Sequence, residues 1–172
     1  MLELWIPISD ISPEGKALTI DDQVPWREAW GKYALGFAPA RDMVAEVTIY
    51  PQPGDGALVR GALTGSVMLP CDRCAEPFEL PIEVSFDAYE QLPDGEGGEE
   101  PRVRVVNGQT QLDLGAVLWE EFSLALPFKP LCSEECLGIC PGCGRDLNRE
   151  PCACDRDKGD ERLAVFRNLK IK

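Results

Sequence analysis

Apolar and polar residues alternate along much of this chain with a period of two, the spacing that turns one face of a β-strand toward a core. Near the start, Leu2, Leu4, Ile6 and Ile8 alternate with Glu3, Trp5, Pro7 and Ser9. This predicts a strand, and Pro7, which has no backbone donor, assigns it to a sheet edge. Residues 17–20 predict a further short strand. Residues 21–35 carry Pro25, Trp26, Trp30 and Tyr33 at spacings that fit a short helix or an irregular packed loop. Trp26 and Trp30, four apart, are expected to pack in the core.

Three longer alternating runs follow, at residues 43–50, 57–69 and 78–89, the last with Phe78, Leu80, Ile82, Val84 and Phe86 on one face. Residues 51–56 form a predicted hairpin turn between the first two runs. A cysteine-bearing turn separates the second from the third. The three runs predict an antiparallel meander with one solvated face. Residues 93–101, Pro-Asp-Gly-Glu-Gly-Gly-Glu-Glu-Pro, have too little hydrophobicity for a core and predict a solvated loop. Residues 102–106 predict a short strand ending at Asn107-Gly108, a type I′ turn signal. Helical spacing of Leu114, Val117, Leu118, Phe122 and Leu126 then predicts a helix, with Asp113 as its N-cap and Pro127 as its stop. A second helix is expected from Asp160, with Leu163, Phe166 and Leu169 on one face. The expected fold class is α+β: mainly an antiparallel β-meander with one or two packed helices and a small C-terminal zinc-ribbon-like appendage.

Charge divides the chain. Of 172 residues, 17 are basic and 30 acidic, a formal net charge of −13. Residues 1–128 hold 8 basic and 22 acidic side chains, a net of −14, and residues 129–172 hold 9 and 8, a net of +1. The expected division is therefore an acidic β-rich domain at 1–128 and a cysteine-rich tail at 129–172. The acidic body repels a phosphate backbone and suits a basic protein partner. Any RNA contact falls to the tail's basic residues: Arg145, Arg149, Arg156, Lys158, Arg162, Arg167, Lys170 and Lys172. No apolar stretch reaches the roughly 18–20 residues of a membrane span. Met1 to Asp10 lack the basic start of a secretory signal, so a cytoplasmic location is expected. There is no histidine, which removes the commonest general base and metal-binding imidazole.

There are eight cysteines, and they are clustered. Cys71 and Cys74 form one C-x-x-C, and Cys132, Cys136, Cys140, Cys143, Cys152 and Cys154 follow as C-x3-C-x3-C-x2-C-x8-C-x-C. Reduced cytosolic thiols at such spacings point to metal. In Cys140-Pro141-Gly142-Cys143-Gly144, proline presets φ, and glycine permits the positive φ and close approach of a tight turn between two thiolates. The nearest closing pair is Cys152 and Cys154. Cys71 and Cys74, at a predicted hairpin tip, find their most economical partners in Cys132 and Cys136. Three alternatives for Cys71 and Cys74 remain at this point: metal ligands, a redox dithiol, or reduced structural thiols. Four thiolates select Zn²⁺ by softness and leave no open position, so one or two structural Zn²⁺ ions are expected. Arg73, inside the C-x-x-C, is the residue expected to bind a partner, or else to pair with a nearby thiolate or acid.

Three stretches in order resemble a known family. They are Cys71-Asp72-Arg73-Cys74; Leu118-Trp119-Glu120-Glu121-Phe122-Ser123-Leu124-Ala125-Leu126-Pro127; and the run from Cys132 to Asn148, with Cys-x-Gly-x-Cys-Pro-x-Cys-Gly and Asp-Leu-Asn. Asp-Glu-Arg-Leu-Ala at 160–164 and Leu169 complete the order. The chain resembles the bacterial YceD family, the large ribosomal RNA subunit accumulation proteins, over most of residues 57–172. The resemblance implies a small cytoplasmic protein that supports accumulation of 23S ribosomal RNA and has no established enzymatic activity. Some family members lack the C-terminal cysteines, which implies that zinc is a local staple here. The expectation is a non-enzymatic ribosome biogenesis factor acting through a basic ribosomal protein or assembly factor. The competing readings are a cytosolic thiol redox protein using Cys71 and Cys74, and a zinc-ribbon nucleic-acid-binding module.

Overall fold

The computed structural model describes residues 4–33, 36–93 and 101–154, with strands β1 (Trp5–Pro7), β2 (Lys16–Ile20), β3 (Ala38–Gln52), β4 (Gly56–Pro70), β5 (Pro77–Glu90), β6 (Val103–Val106) and β7 (Gln109–Asp113). Helix α1 (Val24–Tyr33) lies between β2 and β3, and helix α2 (Leu114–Ala125) follows β7. The helix expected from Asp160 and most of the loop at 93–101 lie outside the described residues.

The expected α+β class is what the chain adopts. The meander is present as β3, β4 and β5, and β2 adds to it to give the order β2-β3-β4-β5. All its pairings are antiparallel. On β5 the expected apolar face turns inward: Ile82 and Phe86 are buried and Phe78, Leu80 and Val84 half-buried, while Glu79, Pro81, Glu83, Ser85 and Asp87 are exposed. A second sheet, β1-β7-β6, is also antiparallel, and β1 with Pro7 occupies its edge as expected. Asn107 (φ +52) and Gly108 (φ +78) form the tight turn between β6 and β7.

Within residues 21–35 the helical alternative holds, as α1 over Val24–Tyr33. Asp22 Oδ1 accepts from Val24 N–H at 2.9 Å, capping the first turn. Gln23 is tied to the Met43 backbone by two bonds, of 2.7 and 3.0 Å. Trp26 and Trp30 are buried, as expected, and lie 5.7 and 5.1 Å from Phe122 of α2 between ring centroids. Helix α2 begins at the predicted cap, where Asp113 accepts from Ala116 N–H at 3.0 Å. Its buried Leu114, Val117, Leu118 and Phe122 join the residues from both sheets in one core. Thr110 of β7 donates to Asp55 in the β3–β4 turn at 3.0 Å, a polar link between the sheets. Among the described residues, no helix is long and apolar enough to cross a membrane.

Candidate metal centres

The β4–β5 hairpin carries the first pair of cysteines to its tip. Strand pairing runs from Ala57 and Glu90 out to Pro70 and Pro77, and Cys71-Asp72-Arg73-Cys74 makes the reversal. Cys71 N–H donates to Glu76 O at 2.9 Å, and Ala75 N–H to Cys71 O at 2.8 Å, with Ala75 at φ +61. The second knuckle repeats this pattern. Cys140 N–H donates to Arg145 O at 2.7 Å, and Gly144 N–H to Cys140 O at 2.8 Å, with Gly144 at φ +74. The two glycines divide the tasks expected of them. Gly144 takes the positive φ, while Gly142 permits close approach, since a Cβ there would lie 3.3 Å from Cys154 Sγ.

The eight thiols gather into two groups of four. Cys71, Cys74, Cys132 and Cys136 form one, and Cys140, Cys143, Cys152 and Cys154 the other, with the sulfurs of each group all within 4.8 Å of one another. This is the pairing expected from economy of spacing. The first tetrad draws Cys71 and Cys74 from residues 1–128 and Cys132 and Cys136 from 129–172, so it straddles the division suggested by charge. Its Cys71–Cys136 and Cys74–Cys132 sulfur pairs are each 3.8 Å apart. A tetrahedral ion with Zn–S bonds of about 2.3 Å sets its sulfurs about 3.8 Å apart, so these edges fit. The second tetrad is tighter, at 3.5 Å for Cys143–Cys152 and 3.2 Å for Cys152–Cys140.

The thiols in each group differ in acidity. Burial opposes ionisation of Cys71, but backbone N–H donors from Cys132, Cys74 and Arg73 outweigh it and lower its pKa to about 6. Cys140 is lowered to about 6 by a hydrogen bond from Cys152 and by the N–H groups of Cys143 and Gly142. Cys132, beside Cys136, is raised to about 12, and Cys154, beside Cys152, also to about 12. Each group thus pairs a thiol drawn toward its thiolate, Cys71 or Cys140, with one that holds its proton, Cys132 or Cys154. Soft sulfur donors in two complete fours can hold a metal ion.

The centres also differ in exposure. Cys71, Cys74 and Cys136 are 2%, 6% and 4% exposed, whereas in the second group only Cys140 is buried and Cys143 and Cys154 are exposed. Arg73 braces the first centre. Its Nη1 donates to Glu134 O at 2.9 Å and to Cys136 O at 2.8 Å, and its own carbonyl accepts from Ile139 N–H at 3.0 Å. Gly138, at φ +74, passes so close that a Cβ would meet Arg73 O at 2.8 Å.

Residues whose role the sequence did not disclose join the two centres. Asn148 Nδ2 donates to Cys136 Sγ at 3.4 Å while its Oδ1 accepts from Leu137 N–H at 2.7 Å. Asp146 holds Asn148 through a 2.7 Å side-chain bond and pairs with Ile139 in an isolated β-bridge. The only hint was Asp146-Leu147-Asn148 as a triplet between the C-x-x-C and its closing cysteines. Of the basic residues expected in the tail, Arg145 pairs with Glu150 at 3.6 Å and Arg149 with Glu76 at 3.1 Å, both on the surface. Arg156, Lys158, Arg162, Arg167, Lys170 and Lys172 lie outside the described residues.

Comparison with known proteins places this arrangement. An uncharacterized protein of Mycobacterium tuberculosis (strain H37Rv) is 34% identical over 100 residues, covering 56% of this chain and 48% of the relative. One of Mycobacterium leprae is 31% identical over 101 residues, covering 56% and 46%. The chain spans about half the length of these curated relatives. No solved structure shows a significant match. The family model described as large ribosomal RNA subunit accumulation protein YceD matches residues 59–170, a stretch that contains all eight cysteines. This chain belongs to the YceD family.

Proposed function

We propose that the chain is a non-enzymatic, cytoplasmic ribosome-biogenesis factor that supports accumulation of large-subunit ribosomal RNA. Each cysteine tetrad holds a structural Zn²⁺. The family match over residues 59–170 carries the reading. Zinc is favoured over other ions because every donor is a soft thiolate and each group is a closed four. A closed set leaves no position for substrate. Joining Cys71 and Cys74 to Cys132 and Cys136 also supports metal binding over an isolated redox dithiol. Among the described residues of the tail only Cys136 and the partly buried Leu131 join a hydrophobic cluster, and the first centre ties that segment to the β4–β5 hairpin. The internal bonds of Arg73 support a positioning role for its guanidinium.

The net charge of −14 on residues 1–128 favours a basic ribosomal protein or assembly factor as the direct partner. Large-subunit RNA, where touched, meets the basic residues of the tail. Depletion of the protein is expected to lower large-subunit RNA and distort the subunit profile on a sucrose gradient. Purified protein is expected to hold two equivalents of zinc. A normal profile in the depleted strain removes the functional reading, and zinc-free protein with reactive Cys71 and Cys74 revives the redox one.

A further inference from the structure

The solvent face of the four-stranded sheet carries a trough. Two neighbouring cross-strand rows form its floor. Ala17, Thr48, Arg60 and Asp87 are successive partners across β2, β3, β4 and β5, and Thr19, Glu46, Ala62 and Ser85 form the next row. Most of these side chains are small, and they line an open volume of about 1000 Å³. On the opposite side of β4, Gly61 leaves β3 too close for a Cβ, which would run into Glu46 O and Val47.

The charges in the trough are unequal. Arg60 is engaged by Asp87 through a two-point contact, Nε to Oδ1 at 2.7 Å and Nη2 to Oδ2 at 2.9 Å. Glu46, in the adjacent row, is exposed and has no ion-pair partner among the described residues. Its row neighbours offer the hydroxyls of Thr19 and Ser85 and the methyl of Ala62. The floor therefore presents one uncompensated carboxylate among small side chains. Exposed Glu83, one row further along, adds charge of the same sign. Four strands spaced about 4.8 Å apart make the trough about 14 Å long, the reach of about four extended residues.

We propose that this trough docks an extended basic segment of a protein partner, with one lysine or arginine side chain seated over Glu46 between Thr19 and Ser85. The inference rests on the proposal that the chain acts through a basic protein, and it names where that protein binds. A nucleic-acid backbone is a poor occupant, because its phosphates would meet the uncompensated Glu46, with Glu83 beyond it, as like charges.

The test is an amide-resolved NMR titration of the zinc-loaded full chain with a ten-lysine peptide, and separately with a ten-nucleotide poly-U RNA. Saturable peptide shifts are expected at Thr19, Glu46, Ala62 and Ser85. Glu46→Gln should weaken binding about fivefold, and Glu83→Gln less than about twofold. Ala62→Arg, which places a cation beside Glu46, should abolish saturable binding while the spectrum keeps its dispersion. Shifts scattered over the acidic surface, equal losses in Glu46→Gln and Glu83→Gln, or RNA acting on the same amides would overturn the proposal. The titration contains no ribosomal material. A null result therefore removes the trough whatever depletion does, and a normal depleted strain removes the functional reading whatever the titration shows.

Discussion

Arg73 and Cys136 are joined across the first cysteine centre: the guanidinium of Arg73, at the hairpin tip, donates to the carbonyl of Cys136 in the tail at 2.8 Å. The same nitrogen reaches Glu134 O at 2.9 Å, so one cation satisfies two carbonyls of the segment that supplies Cys132 and Cys136. The contact is exposed at the guanidinium but borders buried sulfurs. Its effect is to fix where the tail meets the sheet.

Arg73→Ala is therefore expected to weaken tail docking by about 1.5–2 kcal/mol, the lower part of the range for bonds to a charged donor. Zinc release from the first centre to a chelator should quicken by about tenfold, with the melting of the sheet unchanged. Lysine at this position recovers part of the loss, since its ammonium can donate to both carbonyls but sits on a more flexible stem than the planar guanidinium. Wild-type release kinetics in Arg73→Ala would show that the bonds contribute nothing.

Gly138 and Gly144 separate strain from contact, because both have φ +74. Nothing lies within 4 Å of a Cβ on Gly144, whereas one on Gly138 meets Arg73 O at 2.8 Å. Alanine at either site brings the left-handed penalty of about 1–2 kcal/mol. Gly138→Ala adds overpacking against backbone, about 1–3 kcal/mol more. Chemical denaturation of the two zinc-loaded variants measures the difference, and equal destabilisation would contradict the close approach.

Much of this architecture was legible because one face of each long strand is buried. Residues 43–50, 57–69 and 78–89 showed their alternation, and the inward Ile82 and Phe86 follow it directly. The first part of β3 was not legible: Pro39, Ala40, Arg41 and Asp42 are all exposed, and their pairing with β4 shifts register. Nor was the second sheet, since Trp5 pairs with Asp113 and no local pattern encodes so distant a partner. The cysteine tetrads were legible from spacing and count. Arg73 stood out by its place inside the C-x-x-C, but its acceptors did not, because it and Asn148 act through backbone carbonyls, an amide and a sulfur that carry no sequence signal.

The aromatic cluster between the helices offers a test of the body alone. Phe122 is 1% exposed and touches the rings of Trp26, Trp30 and Trp119 at 5.1–5.7 Å between centroids. Phe122→Ala should cost about 3–5 kcal/mol through the cavity it leaves. Zinc stoichiometry should survive wherever the variant stays folded. A loss below about 1 kcal/mol in urea unfolding would mean that α1 and α2 do not share a core.

The exposure difference between the centres predicts an order of metal loss. Three thiols of the first are buried, while Cys143 and Cys154 of the second face solvent. A chromogenic chelator should remove one zinc equivalent rapidly and the other at least about tenfold more slowly. Cys143→Ser should eliminate the fast phase and Cys136→Ser the slow one. A single phase unaffected by either substitution would refute the order.

Proton release follows from the thiol acidities. Without metal, near pH 7.5, Cys71 and Cys140 (pKa about 6) are thiolates, and Cys132 and Cys154 (pKa about 12) keep their protons. A zinc-bound sulfur is deprotonated, so filling both centres must expel at least the protons of Cys132 and Cys154. The sign is fixed: affinity rises with pH above neutrality, because fewer protons remain to be displaced. It falls more steeply below about pH 6, where Cys71 and Cys140 also take up protons. Zinc titration calorimetry in two buffers of different ionisation enthalpy should show heats that differ by at least two protons per chain. Identical heats in both buffers would mean that the thiols enter the centres already ionised.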